Sequence, residues 1–146
     1  MKLLSSVILV GAVWGGYQLF SEHQAARALR EVMLSADVNG FLDVPPPVGQ
    51  NSDTIYVVAA QNCPHAAAQQ ADKIARELAA KGVPVERVNH VEFNPRQIDR
   101  VSMKRLSVVM TGPLPIVFVH GRVASNPEMS QVAEEFYRPG TTWTPR

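Results

Sequence analysis

Thr54-Ile55-Tyr56-Val57-Val58-Ala59-Ala60-Gln61-Asn62-Cys63-Pro64-His65-Ala66 is the stretch on which the fold turns. Its first half is a short apolar run rich in strand formers, the composition of a strand buried on both faces. From Pro64 to Ala80 the spacing becomes helical, with Ala67, Ala71, Ile74, Ala75 and Leu78 on one face. Proline suits the first turn of a helix, where its missing N–H costs nothing. Gly82 supplies the stop. A strand therefore runs into a helix, and the chain's single cysteine stands at the junction.

Downstream the alternation continues. Val83 to Val91 is a second strand segment, weakened at its start by Pro84. Asn94-Pro95 repeats the helix-start signal and predicts a helix to Met110, with Ile98, Val101, Leu106 and Val109 inward. Gly112-Pro113 ends it, and Pro115 to Val119 is a third strand. His120-Gly121 reads as a turn from which Arg122 to Ala124 returns as a hairpin strand. Ser125-Asn126-Pro127 then opens a last helix through Tyr137, with Met129, Val132, Ala133 and Phe136 inward. The order β-α-β-α-β-β-α over residues 54–137 predicts an α/β domain with a mixed four-stranded sheet covered by helices.

Upstream the chain changes character. No charged residue lies between Lys2 and Glu22. As a helix, residues 3–21 would span about 28 Å, roughly the hydrocarbon thickness of a bilayer. Residues 1–21 are thus expected to form an N-terminal transmembrane anchor. A cleaved signal peptide is the competing reading, but Gly15-Gly16 is a poor cleavage site and Ala26-Arg27-Ala28 lies late. Residues 22–36 continue as a helical stalk. Residues 37–53, with Pro45-Pro46-Pro47 between Gly40 and Gly49, read as a proline-rich linker. Residues 138–146 read as a flexible tail. Flanking charges bias orientation little. A short cytoplasmic tail with an exported domain is expected, which in a Gram-negative cell means a single-pass inner-membrane protein facing the periplasm.

Composition limits the chemistry. The chain has 146 residues, a formal charge of +1 and one cysteine. One cysteine excludes an intramolecular disulfide and an all-cysteine zinc site within the chain. The balanced charge argues against a nucleic-acid partner. A copper site of Cys63, His65 and one distant histidine is disfavoured by the lone thiol, so no metal is expected.

The element order, the domain length and Cys63-Pro64-His65-Ala66 between first strand and helix together resemble the thioredoxin superfamily, at the size of a glutaredoxin. That resemblance implies a thioredoxin-like fold, with Cys63 as the attacking thiol and a cis-proline opening the third strand. Pro115 matches that proline and Leu114 precedes it; the pair would present backbone to a bound substrate strand. Family members carry a second cysteine where this chain has Ala66.

Elementary chemistry agrees in part. A thiol beside a helix N-terminus meets unpaired N–H groups and the positive end of the dipole, which favour thiolate. His65 would add to this, and Pro64 would hold the first turn rigid. Without a second thiol, Cys63 is limited to monothiol exchange with protein thiols, completed by an outside thiol. Glutathione is weakly supported. The lysine usual before a glutaredoxin cysteine is absent from Ala59-Ala60-Gln61-Asn62, and the Gly-Gly pair is replaced by Ser125-Asn126-Pro127. No resident cofactor is expected. The alternative is a non-catalytic binding module of an envelope or secretion assembly, in which Cys63 is a remnant.

Overall fold

The computed structural model describes residues 27, 30–32, 34–60 and 65–139. The expected anchor over 1–21, Cys63, Pro64 and the tail from Gly140 onward lie outside the described residues. Two compact units divide between Leu34 and Ser35. In the first, Arg27, residues 30–32 and Leu34 are helical. Among the described residues no helix is long and apolar enough to cross a membrane.

The second unit is an α/β domain built on one mixed sheet. Its strands are β1 (Leu42–Asp43), β2 (Ile55–Val58), β3 (Val85–Val88), β4 (Ile116–Val119) and β5 (Arg122–Ser125). The helices are α1 (Ala66–Ala80), α2 (Arg100–Met110) and α3 (Met129–Phe136). The strand order is β1-β5-β4-β2-β3. β2 and β3 are parallel, with α1 as the crossover between them. The β2–β4, β4–β5 and β5–β1 pairs are antiparallel.

Alternation along the strands divides the core between two faces. Ile55 and Val57 of β2 and Val117 and Val119 of β4 join Ala71, Ile74 and Leu78 of α1 and Val132 of α3 in one buried cluster. Tyr56, Val58, Ile116 and Phe118 are buried outside that cluster, as strand alternation requires for the opposite face. There α2 packs against β5 and β1 through buried Leu106 and Val109, and Phe93 lies 5.9 Å from Phe118 ring to ring.

The sequence signals explain most boundaries. Gly82 takes φ +76°, a left-handed conformation that costs glycine little. It closes α1 by donating to Ala79 O, while Val83 N donates to Leu78 O, and both Leu78 and Val83 are core residues. On α1 the buried row is Ala68, Ala71, Ile74 and Leu78, so Ala68 takes the place expected for Ala67. The hairpin turns at His120-Gly121, both at positive φ (49° and 75°), as a two-residue turn matched to strand twist requires.

Three expectations need correction. The sheet has five strands, not four, because the segment read as a linker contributes β1. Leu42 pairs with Val123, and Phe41, Leu42 and Val44 are almost fully buried. Pro45 and Pro47 are buried too, and Val48 N donates to Glu92 O at 2.7 Å. Prolines hold an extended backbone without leaving unmet N–H groups, which suits a strap laid on a domain.

The single helix expected from Asn94 is two pieces. Pro95–Gln97 form a 3-10 turn under the Asn94 cap, Ile98 is extended, and Asp99 restarts the helix by accepting from Ser102 N at 2.7 Å. The restart shifts the helical phase, so Val101 is exposed instead of inward. The last helix begins at Met129 with Glu128 as its N-cap, whose N–H donates to Gln131 Oε1 at 2.7 Å. Ser125 ends β5 and Asn126 adopts a left-handed φ of 50°, so neither caps that helix.

Candidate functional site

Antiparallel register sets Leu114 and Pro115 at the end of the sheet where β2 finishes. Val58 pairs with Ile116, so Leu114-Pro115 enter β4 beside the point where Ala59-Ala60 leave β2. The next residues, 61–64, carry Cys63 and Pro64 and lead into α1.

The Leu114–Pro115 peptide is cis. Pro115 is buried, and its carbonyl accepts from Asn126 N at 2.7 Å. Ser125 Oγ donates to Pro113 O at 2.6 Å. Ser125 at the end of β5 and Asn126 just after it thus fix both sides of Leu114. Gly112 lies beneath the same contact, and a Cβ there would come within 2.5 Å of Ser125 Oγ. Leu114 itself is exposed. Among the described residues no backbone hydrogen bond uses its N–H or C=O.

Across the junction, α1 starts at Ala66 with His65 as N-cap in an extended conformation (φ −68°, ψ 147°). His65 O accepts from Ala68 N and Gln69 N, and its side chain is exposed. Cys63 precedes this cap by two residues in sequence. The first turn of α1 holds no acidic residue, so the positive end of its dipole is not offset there.

Sequence reasoning passed over Arg87. From β3 its Nη1 reaches Val57 O at 3.1 Å and Ala59 O at 3.4 Å, while Nη2 reaches Ala60 O at 3.5 Å. Its Nε pairs with Asp72 of α1 at 2.8 Å. One guanidinium therefore ties carbonyls at and just past the end of β2 to the helix that follows. The only sequence signal was a charged pair, Glu86-Arg87, between the two valines of the strand Val85–Val88. Ser125 and Asn126 were also missed as supports of Pro115, because they resembled a helix start.

Among the described residues no cluster of three or more His, Cys, Asp or Glu side chains is arranged to hold a metal ion. No protein-family model, curated protein or solved structure matches the chain.

Proposed function

We propose that the chain is a membrane-anchored protein of thioredoxin-like fold whose Cys63 carries out monothiol disulfide exchange. The observation that supports this is Leu114-Pro115 entering β4 beside Ala59-Ala60, from which the sequence continues to Cys63. The parallel β2–β3 pair joined by α1, followed by the antiparallel β4–β5 hairpin, supports the same fold assignment. In this reading residues 1–21 anchor the chain in the inner membrane and the domain faces the periplasm. Leu114 backbone groups pair with the substrate strand, while Pro64 and His65 shape and tune the thiol's surroundings.

The step balances simply. The Cys63 thiolate attacks one sulfur of a partner disulfide, and the old S–S bond breaks as the Cys63 mixed disulfide forms. The displaced sulfur leaves as a thiolate and takes a proton from solvent. Ala66 offers no second thiol, so the thiolate of an outside thiol such as glutathione attacks the partner's sulfur; a new disulfide joins that thiol to the partner as the Cys63 bond breaks, and Cys63 leaves as thiolate. A non-catalytic binding module is the second reading, favoured by the alanine at position 66.

Alkylation kinetics decide between them. The iodoacetamide rate at Cys63 in the intact chain, followed against pH, reports its thiolate fraction. Exchange requires faster reaction than free cysteine at neutral pH and a midpoint below about 8.5. A midpoint at or above that value overturns the exchange function. A reporter fused after Arg146 and active only in the cytoplasm would overturn the exported placement.

A further inference from the structure

We infer that the outward face of α2 docks the domain on an anionic lipid surface. This rests on the membrane anchor proposed above and adds which face the anchored domain turns to the bilayer.

Charge is the first observation. Residues 95–114 contain four cations and one acid, whereas the rest of residues 35–139 holds six cations and ten acids. An anionic surface attracts the first group and repels the second, so charge alone favours one orientation. Arg105 turns inward, its Nη1 donating to Asp43 O at 3.0 Å. Arg96, Arg100 and Lys104 are exposed. The one acid, Asp99, is engaged by the Ser102 N–H as the cap of α2. On α1, across the sheet, Asp72 and Glu77 balance Lys73 and Arg76.

Apolar exposure is the second. Buried Leu106 and Val109 mark the side of α2 that meets the sheet. At 3.6 residues per turn, Arg100 and Lys104 fall on the opposite side, with Val101 (58% exposed) on one flank and Met103 (54%) on the other. These four side chains form one patch on the first five residues of the helix. Headgroup phosphates match the cations, and the boundary between headgroups and acyl chains matches the two apolar flanks. Three exposed cations contribute only about 1 kcal/mol each near an anionic leaflet. That is too little to hold a free protein tightly, and enough to orient one already tethered at high local concentration. The weakness of the patch therefore favours the bilayer over a soluble acidic partner.

The test uses the full native chain in lipid nanodiscs, made either of phosphatidylcholine alone or of equal parts phosphatidylcholine and phosphatidylglycerol. Hydrogen peroxide, small and neutral, converts exposed methionine to its sulfoxide, and mass spectrometry follows each residue. Met103 is expected to oxidise about fivefold more slowly in the anionic discs at low ionic strength, with the gap closing in high salt. Met129, packed against the core on the other sheet face, should oxidise alike in both. Arg100→Gln/Lys104→Gln should remove most of the gap. Lys73→Gln/Arg76→Gln makes the same charge change on α1 and should retain it. Equal Met103 rates in both discs, or a gap insensitive to the α2 substitutions, overturn the docking face. Poly-glutamate added to the neutral discs probes a soluble acidic partner: slowing there, without slowing in the anionic discs, overturns the lipid assignment. The two failures are separable. A chain recovered in neither disc overturns the anchor and the docking that rests on it; a chain recovered in both, with Met103 unprotected, overturns the docking alone.

Discussion

Arg122 of β5 donates through Nη1 to Oε1 of Glu135 on α3 at 2.5 Å, and Glu135 is completely buried. The same guanidinium holds Asp37 Oδ2 at 3.1 Å, Asp43 Oδ1 at 3.0 Å and Phe41 O at 3.2 Å. Arg138 also pairs with Asp37. Its Nη2 lies 3.4 Å from Glu135 Oε2, close enough for attraction but outside hydrogen-bond geometry. Residues 37–43 are thus fastened to the far side of the domain by charge as well as by β1.

Removing Arg122 leaves the Glu135 carboxylate buried without its principal donor. Arg122→Ala is expected to cost about 3–5 kcal/mol, the usual effect of breaking one half of a buried pair. Urea denaturation of the intact chain measures it. A loss near zero would mean that water reaches Glu135.

Asp99 makes a pH-dependent contribution of known sign. Hydrogen bonds from Ser102, chiefly from its backbone N–H, hold the carboxyl below its ordinary value of 3.8, with a smaller contribution from Arg105. A lowered folded-state value means that this stabilisation is complete above the unfolded value and fades as pH falls through the folded one. Asp99→Ala should therefore lower the denaturation midpoint at neutral pH, and the difference from the native chain should shrink in acid. A difference that persists unchanged well below the folded value would show that the cap does not depend on the ionised carboxylate.

Ala66 permits a gain-of-function experiment. It is the first residue of α1 and is exposed, so a larger side chain meets little obstruction. Ala66→Cys would recreate the two-thiol spacing of the resembled family. Mild oxidation should then remove both free thiols without dimer formation, and the reduced variant should reduce insulin disulfides faster than the native chain. Persistence of two free thiols, or loss only through dimers, would count against a thioredoxin-like junction.

Much of the architecture was legible because local signals agreed with tertiary packing. The apolar run Ile55–Val58, the spacing of Ala71, Ile74 and Leu78, and Gly82 all point to one strand–helix unit. His120-Gly121 marks its hairpin for the same reason. Pro115 was found through the family resemblance, because a lone proline says little about its peptide geometry or neighbours. β1 stayed hidden since two residues carry no alternation, and adjacent prolines suggest solvent. The break at Ile98 was masked by a second cap only five residues after the first. Glu135 and Arg87 look like surface charges in sequence. Their partners come from other elements and are revealed by folding alone.

The support beneath Pro115 can be tested at Gly112. A methyl group at this position would meet Ser125 Oγ at 2.5 Å and Val109 O at 3.1 Å. The backbone carbonyl cannot move without disturbing the end of α2, so the Ser125 side chain must yield. That displaces the hydroxyl now donating to Pro113 O at 2.6 Å. Gly112→Ala is therefore expected to destabilise the domain by about 1–3 kcal/mol through overpacking. Ser125→Ala in the same background gives the discriminating measurement. It removes the obstructing oxygen together with its hydrogen bond, so the double variant should lose less stability than the two single losses added together. Strict additivity would show that the strain at Gly112 is taken up elsewhere and that Ser125 does not hold the approach to Leu114.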